Sequence, residues 1–126
     1  MKKENVIKEK SFAFALKVIA LYKVLVERKE YVLSKQLLRS GTSIGANVEE
    51  STAAQSTNDF IHKLSIASKE ARETKYWLML LQQGKLVDYN YSPYLKDINE
   101  IINILTSIIK TMQEKDSKLE NINYKT

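Results

Sequence analysis

Glutamates at short helical spacing are the residues of this sequence best suited to chemistry. Glu49 and Glu50 are adjacent, and Glu70 and Glu73 stand three residues apart. Carboxylate pairs serve in acid–base catalysis and in metal sites, but a di-iron site in a helical bundle also needs two Glu-x-x-His motifs. His62 is the only histidine, and no glutamate stands three residues before it. We therefore predict no metal ion and no catalytic residue, and interpret Glu70 and Glu73 as ion-pair partners.

Other signatures of catalysis are missing from the sequence. There is no cysteine, which excludes thiolate nucleophiles and thiolate metal ligands. Residues 41–45 read Gly-Thr-Ser-Ile-Gly and resemble a phosphate-binding loop, but they lack its lysine and its preceding strand. The sequence predicts no enzyme and no cofactor, with His62 on the surface of its helix.

Small polar residues form a stripe along one predicted helix. Positions that alternate between spacings of four and three lie on one line of an α-helix. Such a stripe is either a hydrogen-bond network between helices or a recognition surface for another molecule. The residues of this polar stripe are Gln36, Ser40, Ser43, Asn47 and Glu50.

The stripe can connect to the next predicted helix through its glutamates. Glu70 and Glu73 can accept hydrogen bonds from Arg39 or Lys35, or from local partners such as the indole N–H of Trp77. Spacing alone does not choose between these partners.

Positive charge is concentrated at the start of the chain. The formal net charge is +5, and residues 1–30 contain eight Lys or Arg against four Glu. This asymmetry indicates either a solvated face or a surface that binds RNA or DNA. The lysines that would contact phosphates are Lys2, Lys3, Lys10, Lys17 and Lys23.

The elements that position these residues are predicted to be long helices. Three glycines and one proline are too few turn formers for many strands, so we predict an all-α, up-down-up-down antiparallel four-helix bundle in a single domain, 1–126. The most apolar stretch, 12–26, is interrupted by lysines, and the first residues do not resemble a signal peptide. We expect no membrane partner and a cytoplasmic location. The predicted helices are 5–29, 33–54, 57–83 and 93–114, followed by a frayed tail over 115–126.

The first and fourth helices have more apolar residues than the core of one bundle can bury. Beside a core row through Phe14 and Val18, the first helix has a second row that includes Phe12, Leu16 and Ile19. The fourth helix is widened by Ile101, Ile104 and Ile108 in the same way. Surplus apolar surface of this size predicts a homo-oligomer.

Glycines and caps define the two middle helices. Gly41 and Gly45 stand four apart within the second helix, where each costs about 1 kcal/mol relative to alanine, and we interpret them as sites of close helix packing. Ser56 and Asp59 are typical of a helix start, and Gly84 of a helix end.

Two blocks of the sequence resemble a known bacterial family. Residues 36–50 read QLLRSGTSIGANVEE, and residues 59–74 and 76–78 read DFIHKLSIASKEARET and YWL. They are similar to the four-helix-bundle proteins encoded in intervening sequences of 23S ribosomal RNA genes, over about residues 10–113. Ser51 departs from the glycine that many relatives have there. Arg39, Ser43, Asn47 and Glu50 match signature positions without a proven role in the family.

This resemblance implies an up-down bundle that assembles into a ring, typically a pentamer. It also implies similarity to the accessory protein of diversity-generating retroelements, a basic pentameric barrel that binds nucleic acid and a reverse transcriptase. The leading hypothesis is therefore a non-catalytic oligomer that binds RNA or DNA through its first helix. The alternative is a protein-interaction scaffold that presents the polar stripe, or the aromatic segment 85–91, to another protein.

Overall fold

The computed structural model describes the backbone of residues 2–125 and the side chains of residues 2–119, 121 and 122. Over this part of the chain all regular structure is helical. The helices are α1 (Lys3–Glu27), α2 (Leu33–Ser51), α3 (Thr57–Gly84) and α4 (Ser92–Lys125).

The four helices form the predicted up-down-up-down bundle. Each helix contacts the two helices beside it, and α4 closes the bundle against α1. The antiparallel order is visible in the partners: Lys10 pairs with Glu100 and Lys17 with Asp97, so residue numbers rise on α1 as they fall on α4. All-α architecture and the four-helix bundle are thus confirmed.

The core follows the apolar rows of the sequence. On α1 the predicted row is buried, including Phe14 and Val18, and on α2 so are Leu37, Ile44 and Val48. On α3 the row is completed by Thr74, which lies between Ala71 and Leu78 and is fully buried. Aliphatic burial at these positions is the main stabilising contribution, at roughly 25 cal/mol per Å² of apolar surface.

The expected surplus of apolar surface on the fourth helix is not present at the positions that predicted it. Ile101 and Ile108 are buried within the chain's own bundle, and Ile104 is half-buried. Because α4 packs against both α1 and α3, it needs a wider apolar face than a helix with one neighbour. Surplus apolar surface in the predicted rows therefore lies on α1, where Phe12, Leu16 and Ile19 remain exposed.

Two helix ends differ from the predicted bounds by more than two residues. α2 ends at Ser51 rather than 54, because residues 52–54 form tighter i→i−3 hydrogen bonds in place of the α-helical pattern. α4 continues to Lys125 through the segment predicted to be a frayed tail, since that segment contains good helix formers and neither glycine nor proline. Thr126 lies outside the described residues.

The helix starts use local polar side chains. Ser56 Oγ accepts the backbone N–H of Asp59 at 3.0 Å, which caps α3 as predicted. No such signal precedes α2 in the sequence. There the Glu30 carboxylate accepts the backbone N–H groups of Val32, Leu33 and Ser34, the shortest at 2.6 Å. A carboxylate at this position accepts hydrogen bonds from backbone N–H groups that have no partner within the helix. Its negative charge also interacts favourably with the positive end of the helix dipole.

The C-terminal end of α3 corrects the role assigned to Gly84. Gly84 is the last helical residue and has no positive φ, whereas Lys85 adopts the left-handed conformation with φ 56° and ψ 34°. Lys29, two residues after α1, also has positive φ, at 66°. Both helices thus have a lysine at a position where glycine is the usual residue.

Replacing Lys85 with glycine is expected to raise the free energy of unfolding by about 0.5 kcal/mol. The left-handed conformation costs a residue with a Cβ about 1–2 kcal/mol, and the greater freedom of glycine in the unfolded chain offsets part of that gain. Urea denaturation measures the change. Lys110→Gly, within α4, is the matched control and is expected to destabilise by about 1 kcal/mol. Equal destabilisation by both substitutions would contradict the prediction.

Candidate functional site

The polar stripe and the α3 glutamates meet between α2 and α3. Arg39 Nη1 donates to Glu70 Oε2 at 3.3 Å, and its Nη2 donates to Glu73. Gln36 Oε1 accepts from Arg39 Nε at 3.3 Å, and Trp77 Nε1 donates to Glu73 Oε2 at 2.9 Å. Of the partners that spacing left open, the structure selects Arg39 across the interface and Trp77 along the helix. We call these five residues the Arg39 network.

The rest of the polar stripe is engaged within the chain. Ser40 is fully buried, and its Oγ lies 2.8 Å from the hydroxyl oxygen of Thr74. Ser43 Oγ donates to the carbonyl oxygen of Arg39, and Asn47 Nδ2 donates to that of Ser43. Glu50, at the end of the stripe, forms an ion pair of 3.3 Å with Lys63 of α3. Ser40 and Glu50 thus join α2 to α3, whereas the bonds of Ser43 and Asn47 stay within α2, so these contacts favour a hydrogen-bond network between helices at Ser40 and Glu50.

The carboxylates of the Arg39 network accept from an arginine and an indole, which are the contacts of an interhelical ion pair. Among the described residues, no group of three or more His, Cys, Asp or Glu could hold a metal ion. Every buried side-chain nitrogen and oxygen in that part of the chain has a hydrogen-bond partner. His62 is exposed on α3, as expected.

The predicted phosphate-binding lysines do not form one free surface. Lys10 Nζ lies 3.0 Å from Glu100 Oε2, and Lys17 Nζ lies 2.7 Å from Asp97 Oδ2, so both side chains join α1 to α4. Lys3 Nζ donates to Ser107 Oγ at 2.5 Å. Lys2 and Lys23 are exposed at separate places along the bundle.

An apolar groove lies on the outer face of α1 and α2. It has a volume of about 960 Å³ and is bordered by the exposed side chains of Phe12 and Leu16 on α1. Small residues of α2, Gly45 and Ala46, lie on its other side, where Gly45 lets the helices approach. A Cβ on Gly45 would lie 3.4 Å from the carbonyl oxygen of Ser11. We refer to this surface as the α1–α2 groove.

The connection after α1 and the connection after α3 lie at the same end of the bundle and contact each other. Arg28 Nη1 donates to the carbonyl oxygen of Asp88 at 2.6 Å, and its guanidinium lies 5.6 Å from the centroid of the Tyr89 ring. Tyr91 is buried and donates to the carbonyl oxygen of Val87 at 2.9 Å. Burial, the largest cause, raises the pKa of the phenols of Tyr91 and of Tyr94, which follows it.

The sequence indicated the aromatic segment 85–91 but not its contact with the connection after α1. Lys29 and Tyr31 were not singled out, because isolated tyrosines and lysines in short connections have no periodicity. The available signal was the clustering of tyrosines in 89–94. It marks an aromatic segment but does not show which rings are buried.

No helix in the described part of the chain has the length and apolar character needed to cross a membrane.

Comparison with known proteins identifies the family. The sequence model for the 23S rRNA-intervening sequence protein matches residues 3–107. A crystal structure from Bacteroides thetaiotaomicron, of a protein of unknown function from the S23 ribosomal protein family, is 54% identical. The match covers 86% of this chain and 99% of that one, with a TM-score of 0.83. None of the curated proteins matches. Since the matched region includes α1 to α3 and most of the buried part of α4, this chain belongs to the 23S rRNA-intervening sequence protein family.

Proposed function

We propose that the chain is a non-catalytic bundle that assembles with copies of itself through the α1–α2 groove. The observation that supports this proposal most is the exposure of large apolar side chains on α1. Phe12 is 66% exposed and Leu16 is 54% exposed, although both belong to a helix whose opposite face is fully buried. Contiguous apolar surface beside a groove is typical of a protein–protein interface.

The shape of the groove favours a second copy of the chain as its occupant. Phe12 and Leu16 project from α1, while Gly45 and Ala46 leave a recess on the adjoining part of α2. Projections and recess lie side by side on one surface, so two copies can exchange them in a two-fold contact, or the projections of one copy can enter the recess of the next in a head-to-tail contact. The head-to-tail contact is heterologous and forms a closed ring when its rotation is a whole fraction of a turn. Five subunits is the number that the family resemblance implies.

Replacing Leu16 with lysine is expected to dissociate the assembly. A charge at the centre of the groove would have to be desolvated without a partner, which is strongly unfavourable. Native mass spectrometry and light scattering should give a mass near five times 14.5 kDa for the natural chain and 14.5 kDa for the variant.

Met79→Lys is the matched control for this experiment. Met79 is 38% exposed on α3, away from the groove, so its variant should keep the mass of the natural chain. A natural chain that is monomeric at micromolar concentration would contradict the proposal, as would an unchanged mass for Leu16→Lys.

Binding of RNA or DNA is the second candidate function. It is supported by the charge asymmetry of residues 1–30, which contain eight Lys or Arg against four Glu. Because Lys10 and Lys17 are paired with acids of α4, the predicted lysines most open to phosphates are Lys2, which precedes α1, and Lys23 on α1. Titration with single-stranded RNA at increasing salt tests this candidate, since phosphate contacts make affinity fall steeply with salt. The protein-scaffold alternative has less support, since the polar stripe is engaged within the chain.

A further inference from the structure

One end of the bundle combines cations with exposed aromatic rings. We define the loop end as residues 28–32, which connect α1 to α2, and 85–91, which connect α3 to α4. The hydrogen bond from Arg28 to the carbonyl oxygen of Asp88 holds these two segments together. They therefore form one continuous surface, although they are more than 50 residues apart in sequence.

Side chains that project from the loop end have both apolar and aromatic character. Tyr31 is 58% exposed, and Tyr89, beneath the Arg28 guanidinium, is 37% exposed. Val32 and Leu86 are exposed beside them. Exposed tyrosine rings offer flat surfaces on which unpaired bases can stack, whatever the base.

Most of the net charge of the chain lies around this end. The segments 23–35 and 82–96 contain six Lys or Arg and three Asp or Glu, an excess of three in a chain whose total excess is five. One of the three acids, Glu30, has its carboxylate occupied by the N-terminal N–H groups of α2. The field at the loop end therefore favours an anionic partner.

The backbone provides an independent indication that lysine has a role here. Lys29 and Lys85 both adopt the left-handed conformation, in which glycine is the least strained residue, and both side chains are exposed. Within the described residues, neither ammonium group makes a hydrogen bond or ion pair that would account for the choice. A strained conformation that is retained in the fold is a reason to look for function.

We propose that the loop end binds single-stranded nucleic acid. Lys29 and Lys85 contact phosphates and Tyr31 stacks against an unpaired base, while Arg28 holds the two segments together. This inference rests on the second candidate function above, and it moves the contact from the face of α1 to the two connections. A single strand fits better than a duplex, because only unpaired bases present their faces to a tyrosine ring.

The test begins with the full chain and a fluorescent oligouridylate of about 12 nucleotides, a length within the range that single-strand sites occupy. Fluorescence anisotropy measures affinity between 50 and 200 mM salt. The double variant Lys29→Gly, Lys85→Gly is expected to bind about tenfold more weakly at 50 mM salt, with a salt slope smaller by about 1.4, since each single-strand phosphate contact contributes about 0.7.

Glycine keeps this variant folded, because it adopts positive φ without strain. The control Lys69→Gln, Lys110→Gln removes the same charge from exposed helical positions, and its affinity should stay within about twofold of the natural chain.

A separate substitution isolates stacking from charge. Tyr31→Ser should weaken binding by about tenfold, as loss of one stacked base does, without changing the salt slope. A duplex of the same length should bind the natural chain more weakly than the single strand.

The possible outcomes separate this inference from the candidate function on which it rests. Binding that is reduced by Lys2→Gln, Lys3→Gln but not by the glycine variant would keep nucleic-acid binding and overturn the loop end as its site. No binding by the natural chain at 50 mM salt would overturn both. Binding to vesicles of anionic phospholipid in place of the oligonucleotide would also overturn the inference, since the anion would then be a lipid headgroup.

Discussion

Substituting leucine for Gly41 is expected to lower the free energy of unfolding by about 3 kcal/mol, at the upper end of the range for overpacked cores. A Cβ at Gly41 would lie 2.9 Å from both Cγ atoms of Val18, closer than such contacts normally are. Val18 is fully buried and β-branched, so its side chain has few alternative rotamers with which to yield. Either α1 and α2 must therefore move apart, or the Val18 side chain must adopt an unfavourable rotamer.

Gly45→Ala is the matched control, one helical turn along the same helix. Its new methyl group would lie 3.4 Å from the carbonyl oxygen of Ser11, an ordinary contact, so the gain in helix propensity of up to about 1 kcal/mol should make it neutral or stabilising. Urea denaturation in the Leu16→Lys background measures both variants without a contribution from self-association. Equal stability of the two variants would refute the close approach of α1 and α2 at Gly41.

Arg39→Gln is expected to destabilise the bundle by about 1 to 2 kcal/mol, less than a buried charge pair would because Arg39 is half-exposed. The substitution leaves Glu70 and Glu73 as neighbouring carboxylates, with exposed side-chain fractions of 18% and 32%, facing α2 without their cation. Trp77, which donates to Glu73, serves as the fluorescence probe of unfolding in urea.

Two controls identify the source of that effect. Lys63→Gln removes the ion pair with the exposed Glu50 and should cost less than about 0.5 kcal/mol. Arg39→Lys keeps the charge but cannot donate to both carboxylates in the fixed geometry of a guanidinium, so its stability should be intermediate. If Arg39→Gln and Lys63→Gln have equal effects, the Arg39 network contributes no more than an exposed ion pair.

The four helices, their core rows and the fold class could be predicted from the sequence. Apolar residues such as Phe14, Val18 and Ile44 recur with helical periodicity, and this periodicity is a local property of the chain. The N-terminal cap of α3 at Ser56 was equally readable, since its hydrogen bond spans three residues. The resemblance to the family was also carried by contiguous residues, and the match over 3–107 confirms it.

The tertiary structure decided which residues face one another, because contacts across helices depend on helix rotation and register rather than on local sequence. It placed Lys10 and Lys17 against acids of α4 and Arg39 against Glu70 and Glu73. Packing also fixes the partners of Glu70 and Glu73. Spacing allowed several partners, whereas the antiparallel register of α2 and α3 brings Arg39 to both Glu70 and Glu73 and makes these glutamates part of an interhelical network.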